Sequence, residues 1–548
     1  MFGLTNTLVY IAISVLNAIL LFFASGKFLL GMQQLGYKGY RYIRWVLSRK
    51  NTYLSRLYLL SLLGFLFFMI LGITFAPVVG DKFYSYTGFV AYIFFISVYI
   101  GTEKNVNEKL PLKKTRRLIR LEVVYTILLA LLSFALVLLI NAIGLSFTGK
   151  TEEVYDILKY AFVALTPMFV PFILYLAYAM TKPFEDANNR RYVEKTKEVL
   201  KQSDIIKIGI TGSYGKTSVK EILKTILSVK YRVLATPESY NTPLGIALSV
   251  KQLDSTYDVF IAEMGARQVG DIRDLARLVD PDIAVLTGVN EQHLESFGTA
   301  EDIKNTKFEL FDNLKPGGKA FFNVEGEAAK ELSERFKGEK YCISAENGPV
   351  TAKNVTVGRD GLTFDVCIEG EKPFRVSTTL LGKHSVSNIL LAIAVAYNMG
   401  LTPKELFVGV TRLYSIKHRL QVLPNFGGVT LIDDSYNSNF DGAKSALEAI
   451  KDFDGRKVII TPGLVELGRN QFELNFKLGE EIAKVCDVLI VSAKTNAEAL
   501  IEGFRSSGGD NKNIHYFKNV GLVKDYLKEF VEKGDVVLFE NDLPDTYE

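Results

Sequence analysis

The run G-I-T-G-S-Y-G-K-T-S, Gly209 to Ser218, decides how the rest of this chain is read. The apolar residues Ile205–Ile210 end a strand, small residues make the turn, and the helix-prone run Val219–Val229 follows. A strand, loop and helix in that order turn backbone N–H groups and a helix N-terminus toward an anion. Lys216 then reaches the β/γ-phosphates of a nucleotide, and the Thr217 hydroxyl sits on Mg2+. Gly212, Ser213, Gly215 and Ser218 complete the cradle. Ile210 stands where the first glycine of the usual G-x-x-x-x-G-K-[ST] pattern belongs. The expectation of a nucleotide therefore rests on the context rather than on the bare G-K-T.

The loop comes late in a chain of 548 residues, a length that implies several domains. A formal net charge of +4 gives no case for a nucleic-acid partner. Mean hydropathy is +0.17, high for a soluble protein, and the apolar residues gather before residue 181. Apolar runs at 7–25, 57–79, 84–101, 121–143 and 157–180 are each long enough to cross a hydrocarbon core of about 30 Å. Lysine and arginine crowd the segments between the first and second runs, between the third and fourth, and after the fifth. That bias predicts a multi-pass cell-membrane protein in contact with membrane lipids, its N-terminus outside and everything after residue 181 in the cytoplasm. Polar residues within the runs are few (Asn17, Glu122 and Asn141), which argues for anchoring over a transport path. Pro167 and Pro171 predict a kink in the fifth run. Cys342, Cys367 and Cys486 are odd in number and unpatterned, so neither a disulfide frame nor a zinc site is expected.

From residue 205 strand and helix alternate. Apolar strand candidates stand at 205–210, 258–263, 283–287 and 319–323, then a β-rich segment at 350–380 and a helix at 385–400. A second series places strands at 429–433, 457–461, 487–492 and 535–539. Its helices are expected at 441–451, 471–485, 495–505 and 519–532. Strands separated by helices predict parallel, doubly wound sheets. The expected domains are a five-span transmembrane domain (1–181), a charged helical connector on the membrane surface (182–204), an ATP-binding domain (205–415) and a Rossmann-like C-terminal domain (416–548).

Further motifs follow the loop in order. They are S-Y-N-T-P-L-G at 239–245, A-E-M-G-A at 262–266, H-L-E-S-F-G at 293–298 and T-K-F-E-L at 306–310. L-G-K-H-S-V-S-N at 381–388, H-R-L-Q at 418–421, D-D-S-Y-N-S-N at 433–439 and E-L-G at 466–468 complete the series. Over about 340 residues this order resembles the Mur ligases, which join a carboxylate to an amine at the expense of ATP, and most of all the D-alanyl-D-alanine-adding type. The resemblance implies that ATP first converts the carboxylate into an acyl phosphate, which an amino acid or dipeptide amine then attacks. It assigns Lys216 and Arg419 to the transferred phosphate, and Thr217 and Glu263 to the first Mg2+. His293 and Lys307 fall at a second metal position, where the family's lysine is carbamylated. Asn388 falls at the adenine contact, and Asp434 and Asn437 on the ribose and phosphate side.

The two ends of the chain depart from the family. Apolar runs replace the small UDP-binding domain that begins the D-alanyl-D-alanine-adding enzyme. F-E-N-D-L-P-D at 539–545 stands where a K-G-S-R-like stretch is expected, and Phe440 where proline is usual. The same ligation on a lipid-linked carboxylate is therefore an alternative reading. An ATP-gated transport protein is another, but it has no use for the set Lys216, Glu263, His293, Lys307 and Arg419.

Overall fold

The computed structural model describes the chain except residues 1–3, 49–51, 80, 105–110, 145–161, 239, 291–296, 425–426, 437–438, 466, 519 and 542–548. It divides into two units, Met1–Asn188 and Asn189–Leu543.

The first unit is helical because its sequence is apolar over lengths no strand needs. Helices span Leu4–Ala24, Gly26–Gln34, Gly39–Val46, Thr52–Val79, Asp81–Lys104 and Arg116–Gly144. A 3-10 segment Phe162–Phe169 then leads into the helix Val170–Gln202. Among the described residues three stretches are long and apolar enough to cross a membrane: Thr7–Ala24, Arg116–Leu139 and Leu165–Gln202. The runs expected at 57–79 and 84–101 fall in the helices Thr52–Val79 and Asp81–Lys104, which show the shorter apolar stretches Leu54–Phe67 and Tyr92–Glu103. Pro167 lies within the 3-10 segment, where a residue without an N–H interrupts regular helix bonding. Large apolar side chains such as Leu8, Ile11, Leu59, Ile127 and Leu131 face outward. The polar residues turn in. The Asn17 amide donates to Ser133 Oγ (2.8 Å) and Thr166 Oγ1 (2.9 Å), and accepts from Tyr92 OH (2.7 Å). These bonds tie distant stretches of chain together through an otherwise apolar interior.

The second unit begins in the last turns of the helix Val170–Gln202. There Val193 and Leu200 pack into a core of the α/β region, and Lys207 Nζ donates to the Leu200 carbonyl (3.0 Å). The connector expected on the membrane surface thus has apolar contacts of its own at its C-terminal end.

Six strands form the first sheet: β1 (Ile206–Thr211), β2 (Val233–Ala235), β3 (Val259–Glu263), β4 (Ile283–Leu286), β5 (Lys319–Asn323) and β6 (Lys340–Ile343). The order is β2-β3-β1-β4-β5-β6, and every pairing is parallel. Its central strands are mostly apolar because both faces are covered. Ile208, Ile210 and Ile261 join one core with the helices Lys216–Leu227 and His384–Asn398. Phe260, Ala262 and Leu286 join the other with Asp271–Val279 and Ala300–Asp312. The β-rich segment folds as an antiparallel sheet of β7 (Val350–Gly358), β8 (Gly361–Ile368) and β9 (Phe374–Thr378).

The last sheet contains β10 (Gln421–Val422), β11 (Thr430–Asp434), β12 (Lys457–Thr461), β13 (Val488–Val491), β14 (Ile514–Tyr516) and β15 (Val536–Glu540). Its order is β10-β11-β15-β12-β13-β14, parallel except for β10. On it, the helices Gln471–Ala483 and Ala497–Ser506 touch backbone to backbone through glycines. A Cβ at Gly503 would run into the Phe476 carbonyl, and one at Gly479 into that of Leu500. Gly503→Ala is expected to cost about 1–3 kcal/mol of stability by forcing the helices apart. The exposed neighbour Glu502→Ala should cost no more than about 0.5 kcal/mol. Denaturant unfolding followed by circular dichroism measures both.

Candidate active site

The phosphate loop leaves the C-terminal end of β1, where ligands bind in open α/β sheets. Gly212 is required by close approach, since a Cβ there would meet the Thr287 hydroxyl and the Gly288 backbone. Gly215 has φ 77° and caps the helix Lys216–Leu227, a left-handed position that favours glycine. Neighbouring backbone fixes the loop: Ser213 N–H donates to Gly288 O (2.7 Å), and Ser213 Oγ to Asn290 O (3.1 Å). Ser213 therefore braces the loop through its side chain, while Ser218 lies half-buried in the first turn of the helix.

Lys216 curls back on the loop and donates to Gly212 O (2.8 Å) and Ser213 O (3.2 Å). Desolvation lowers its pKa to about 8; Glu263 opposes that shift and Arg419 adds to it. Parallel pairing sets Ile210 of β1 opposite Glu263 of β3, which brings this carboxylate to the loop. Glu263 is buried, and its Oε2 accepts from Thr217 Oγ1 (3.0 Å). Its Oε1 accepts from the Asn241 amide (3.2 Å), and Lys220 Nζ stands 3.3 Å from Oε2. A half-buried hydroxyl and a buried carboxylate side by side at a phosphate loop are hard oxygen donors, the set that holds Mg2+ together with substrate phosphates. The residues present fit that ion.

Lys307, on the helix Ala300–Asp312, is buried. Burial lowers its pKa to about 7; Lys216 lowers it further, and Asp271 and Glu309 oppose. His293, expected beside it, lies outside the described residues.

The last domain adds Arg419. His418 and Leu420 on either side take φ of 58° and 44°, an uncommon backbone for residues with side chains. Bonds from the D-D-S-Y-N motif hold this turn. Leu420 N–H donates to Asp434 Oδ1 (3.1 Å), His418 Nδ1 meets Asp433 Oδ2 (2.7 Å), and Arg419 Nη1 donates to Tyr436 O (2.8 Å). The guanidinium also stacks on the Tyr436 ring at 4.6 Å. Burial raises the Asp434 pKa, against the lowering effect of Arg419. Asn290 donates to Asn439 Oδ1 (3.1 Å) and Asp441 Oδ2 (2.8 Å), which joins the last domain to the rim of the loop. Asn437 lies outside the described residues.

Lys216, Thr217, Glu263, Lys307, Arg419 and Asp434 are thus brought to one place. Asn388 is nearly buried with its Oδ1 3.2 Å from where a Gly215 Cβ would stand, so it lies against the end of the phosphate loop. His384, at the start of the same helix, is exposed. Sequence reasoning gave no role to Lys220, Asn241, Asn290 or the His418–Asp433 pair. The signal for Lys220 was its spacing, three residues after Thr217 and so on the same helix face.

Two α/β domains, one carrying a phosphate loop with a hydroxyl–carboxylate pair beside it and the other an arginine near the loop lysine, suit an ATP-dependent ligase. Residues 210–396 match the Mur ligase middle domain and residues 418–540 the Mur ligase glutamate ligase domain. The chain belongs to the Mur ligase family, whose members are ATP-dependent amide ligases. It is 30% identical over 337 residues to the UDP-N-acetylmuramoyl-tripeptide–D-alanyl-D-alanine ligase of Haemophilus influenzae, covering 59% of this chain and 71% of that one. The Bacillus subtilis enzyme of the same name is 28% identical over 337 residues, 61% of this chain and 72% of that one. The MurF ligase of Thermotoga maritima in complex with ADP superposes with TM-score 0.58 at 27% identity, covering 65% of this chain and 80% of that structure. MurF from Acinetobacter baumannii shares the fold, with TM-score 0.59 at 23% identity over 65% of this chain and 77% of that one.

Lys307 gives a pH signature. An unfolded lysine titrates near 10.5 and the folded one near 7. Between those values the unfolded state binds the extra proton, so stability rises with pH there and is lost as pH falls through 7. Lys307→Met is expected to flatten this slope by at most about 1.4 kcal/mol per pH unit. Denaturant unfolding in bicarbonate-free buffer from pH 6.5 to 9.5 measures it.

Proposed function

We propose that this chain is a membrane-anchored ligase of peptidoglycan-precursor synthesis, which adds a D-alanyl-D-alanine-type amine to a peptide carboxylate through an acyl phosphate. The observation that carries the reading is the 3.0 Å contact between Thr217 and the buried Glu263 beside Lys216 on the loop. Charge builds on phosphate oxygens during transfer, so the protein acts by placing cations and N–H donors where that charge develops. The loop amides and Lys216 hold the β/γ-phosphates, and Arg419 reaches the γ-phosphate from the last domain. Thr217 and Glu263 hold Mg2+, which when bound neutralises phosphate charge. Asn388 contacts the adenine, and Asp434 and Asn437 the ribose and phosphate side.

His293 and Lys307 hold a second metal. A buried lysine with pKa about 7 is largely free amine at cytoplasmic pH. Free amine is the form that adds carbon dioxide, and the resulting carbamate replaces a cation beside Lys216 with an oxygen donor. Protein equilibrated with 13C-bicarbonate should therefore show one carbamate carbon by NMR, absent in Lys307→Ala. Ligase activity should fall at least 100-fold in that variant and recover in part with added short-chain carboxylates.

The outward apolar surface of the first unit and the basic segments between its helices support five spans with the ligase domains in the cytoplasm. A reporter fused after residue 150 should be protected from cytoplasmic modification. Anchoring raises the concentration of any acceptor held in the same membrane. A lipid-linked carboxylate is therefore the second reading, favoured by the apolar helices and by the departure at 539–545. An acceptor screen with detergent-solubilised protein separates the two, reading ADP release that depends on both acceptor and amine. Joining of UDP-linked tripeptide to D-alanyl-D-alanine supports the first reading. Joining only to a lipid-linked acceptor supports the second. ATP turnover that needs neither substrate overturns both.

A further inference from the structure

Lys220 lies in the helix Lys216–Leu227, and its side chain is wholly buried. No role in phosphate binding falls to it, since Lys216 occupies the loop. Its ammonium donates to the Glu238 carbonyl (2.5 Å) and stands 3.3 Å from Glu263 Oε2 and 3.4 Å from Glu221 Oε1. Glu221 is about one-third exposed, whereas Glu263 is almost fully buried. The Glu238 carbonyl belongs to a residue at φ 44°, in the loop that carries Asn241. Asn241 in turn donates to the other oxygen of Glu263 and accepts from Gly265 N–H (3.0 Å). One buried cation therefore touches the metal-binding carboxylate and the loop that supports it from the far side.

We propose that Lys220 is a positioning residue, the resident counter-cation of Glu263. An isolated carboxylate in a protein interior is strongly disfavoured unless a partner compensates its charge. The hydroxyl of Thr217 and the amide of Asn241 supply hydrogen bonds but no charge, and the Lys216 ammonium, which also feels Glu263, is bonded to Gly212 O and Ser213 O instead. Lys220 supplies the charge and, through the Glu238 carbonyl, keeps Asn241 on its oxygen. Glu263 is thus held aimed at Thr217 before Mg2+ and nucleotide arrive. The ion then shares a carboxylate that is already placed. The inference rests on the ligase reading of Glu263 only for its purpose; the charge compensation itself is tested without any turnover.

The test is a double-mutant cycle on the full chain in detergent, read as melting temperature with and without Mg2+ and ADP. Lys220→Met keeps the length of the side chain and removes its charge. It is expected to lower the melting temperature of the ligand-free protein by about 10 °C, the loss typical of breaking a buried ion pair. Adding Glu263→Gln to it should recover at least half of that loss, because the unpaired charge is gone. Mg2+ with ADP should raise the melting temperature of Lys220→Met more than that of the unaltered protein, since the ion replaces the missing cation. Lys220→Arg should stay near the unaltered protein. If Lys220→Met is too unstable to purify, the cycle is read from the other side: Lys220→Met introduced into Glu263→Gln should raise its melting temperature. A double variant no more stable than either single one, or an equal rise with Mg2+ and ADP, overturns the proposal. An absence of ligase activity in the unaltered protein, with the cycle as expected, would instead count against the ligase reading alone.

Discussion

A carboxylate placed out of water must be compensated, and in this protein that constraint falls on Glu263. Parallel pairing of β1 with β3 delivers it to the phosphate loop, and Thr217, Asn241 and Lys220 then close around it. Three parts of the middle domain are committed by this arrangement: the first turns of the phosphate-loop helix, the end of β3 and the loop preceding the helix Pro243–Val250. Without the carboxylate the loop would still suit an anion. With it, the site also suits the divalent ion that accompanies a nucleotide.

The cations around it follow a similar logic. Lys216, Lys307 and Arg419 converge from the loop, a middle-domain helix and the last domain, and burial lowers the pKa of both lysines. The positive charge of Lys216 and Arg419 beside the loop suits a polyphosphate. The strained backbone at His418 and Leu420 belongs here as well. Bonds to Asp433, Asp434 and Tyr436 stabilise it.

Much of this was legible in the residues. Strands with unbroken apolar runs, such as those at β1, β3, β4, β5 and β12, were expected within a residue or two of their observed ends, because both faces are buried. The strands β2, β6, β10 and β14 were not anticipated. They are short, lie at or near sheet edges, and carry residues such as Lys340, Tyr341 and His515 that break an apolar pattern. The motif residues Lys216, Thr217, Glu263 and Arg419 were named from local sequence. The partners that hold them were harder to see, because Asn241 and Lys220 meet Glu263 only through tertiary contact. The connector 182–204 was read from its charge as a surface helix, and Val193 and Leu200 were too sparse to signal the core they join.

The helical first unit leaves the ATP chemistry intact and moves the open question to the acceptor. On the proposed reading, whichever carboxylate is used, Lys216, Glu263 and Arg419 serve transfer of a phosphoryl group to it before the amine attacks. Incubating the solubilised protein with ATP, amine and an acceptor labelled with 18O in its carboxylate follows that step atom by atom. Formation of an acyl phosphate requires one 18O in each phosphate released. Amide formed with phosphate free of the label, its lost oxygen recovered in water or AMP instead, would contradict it.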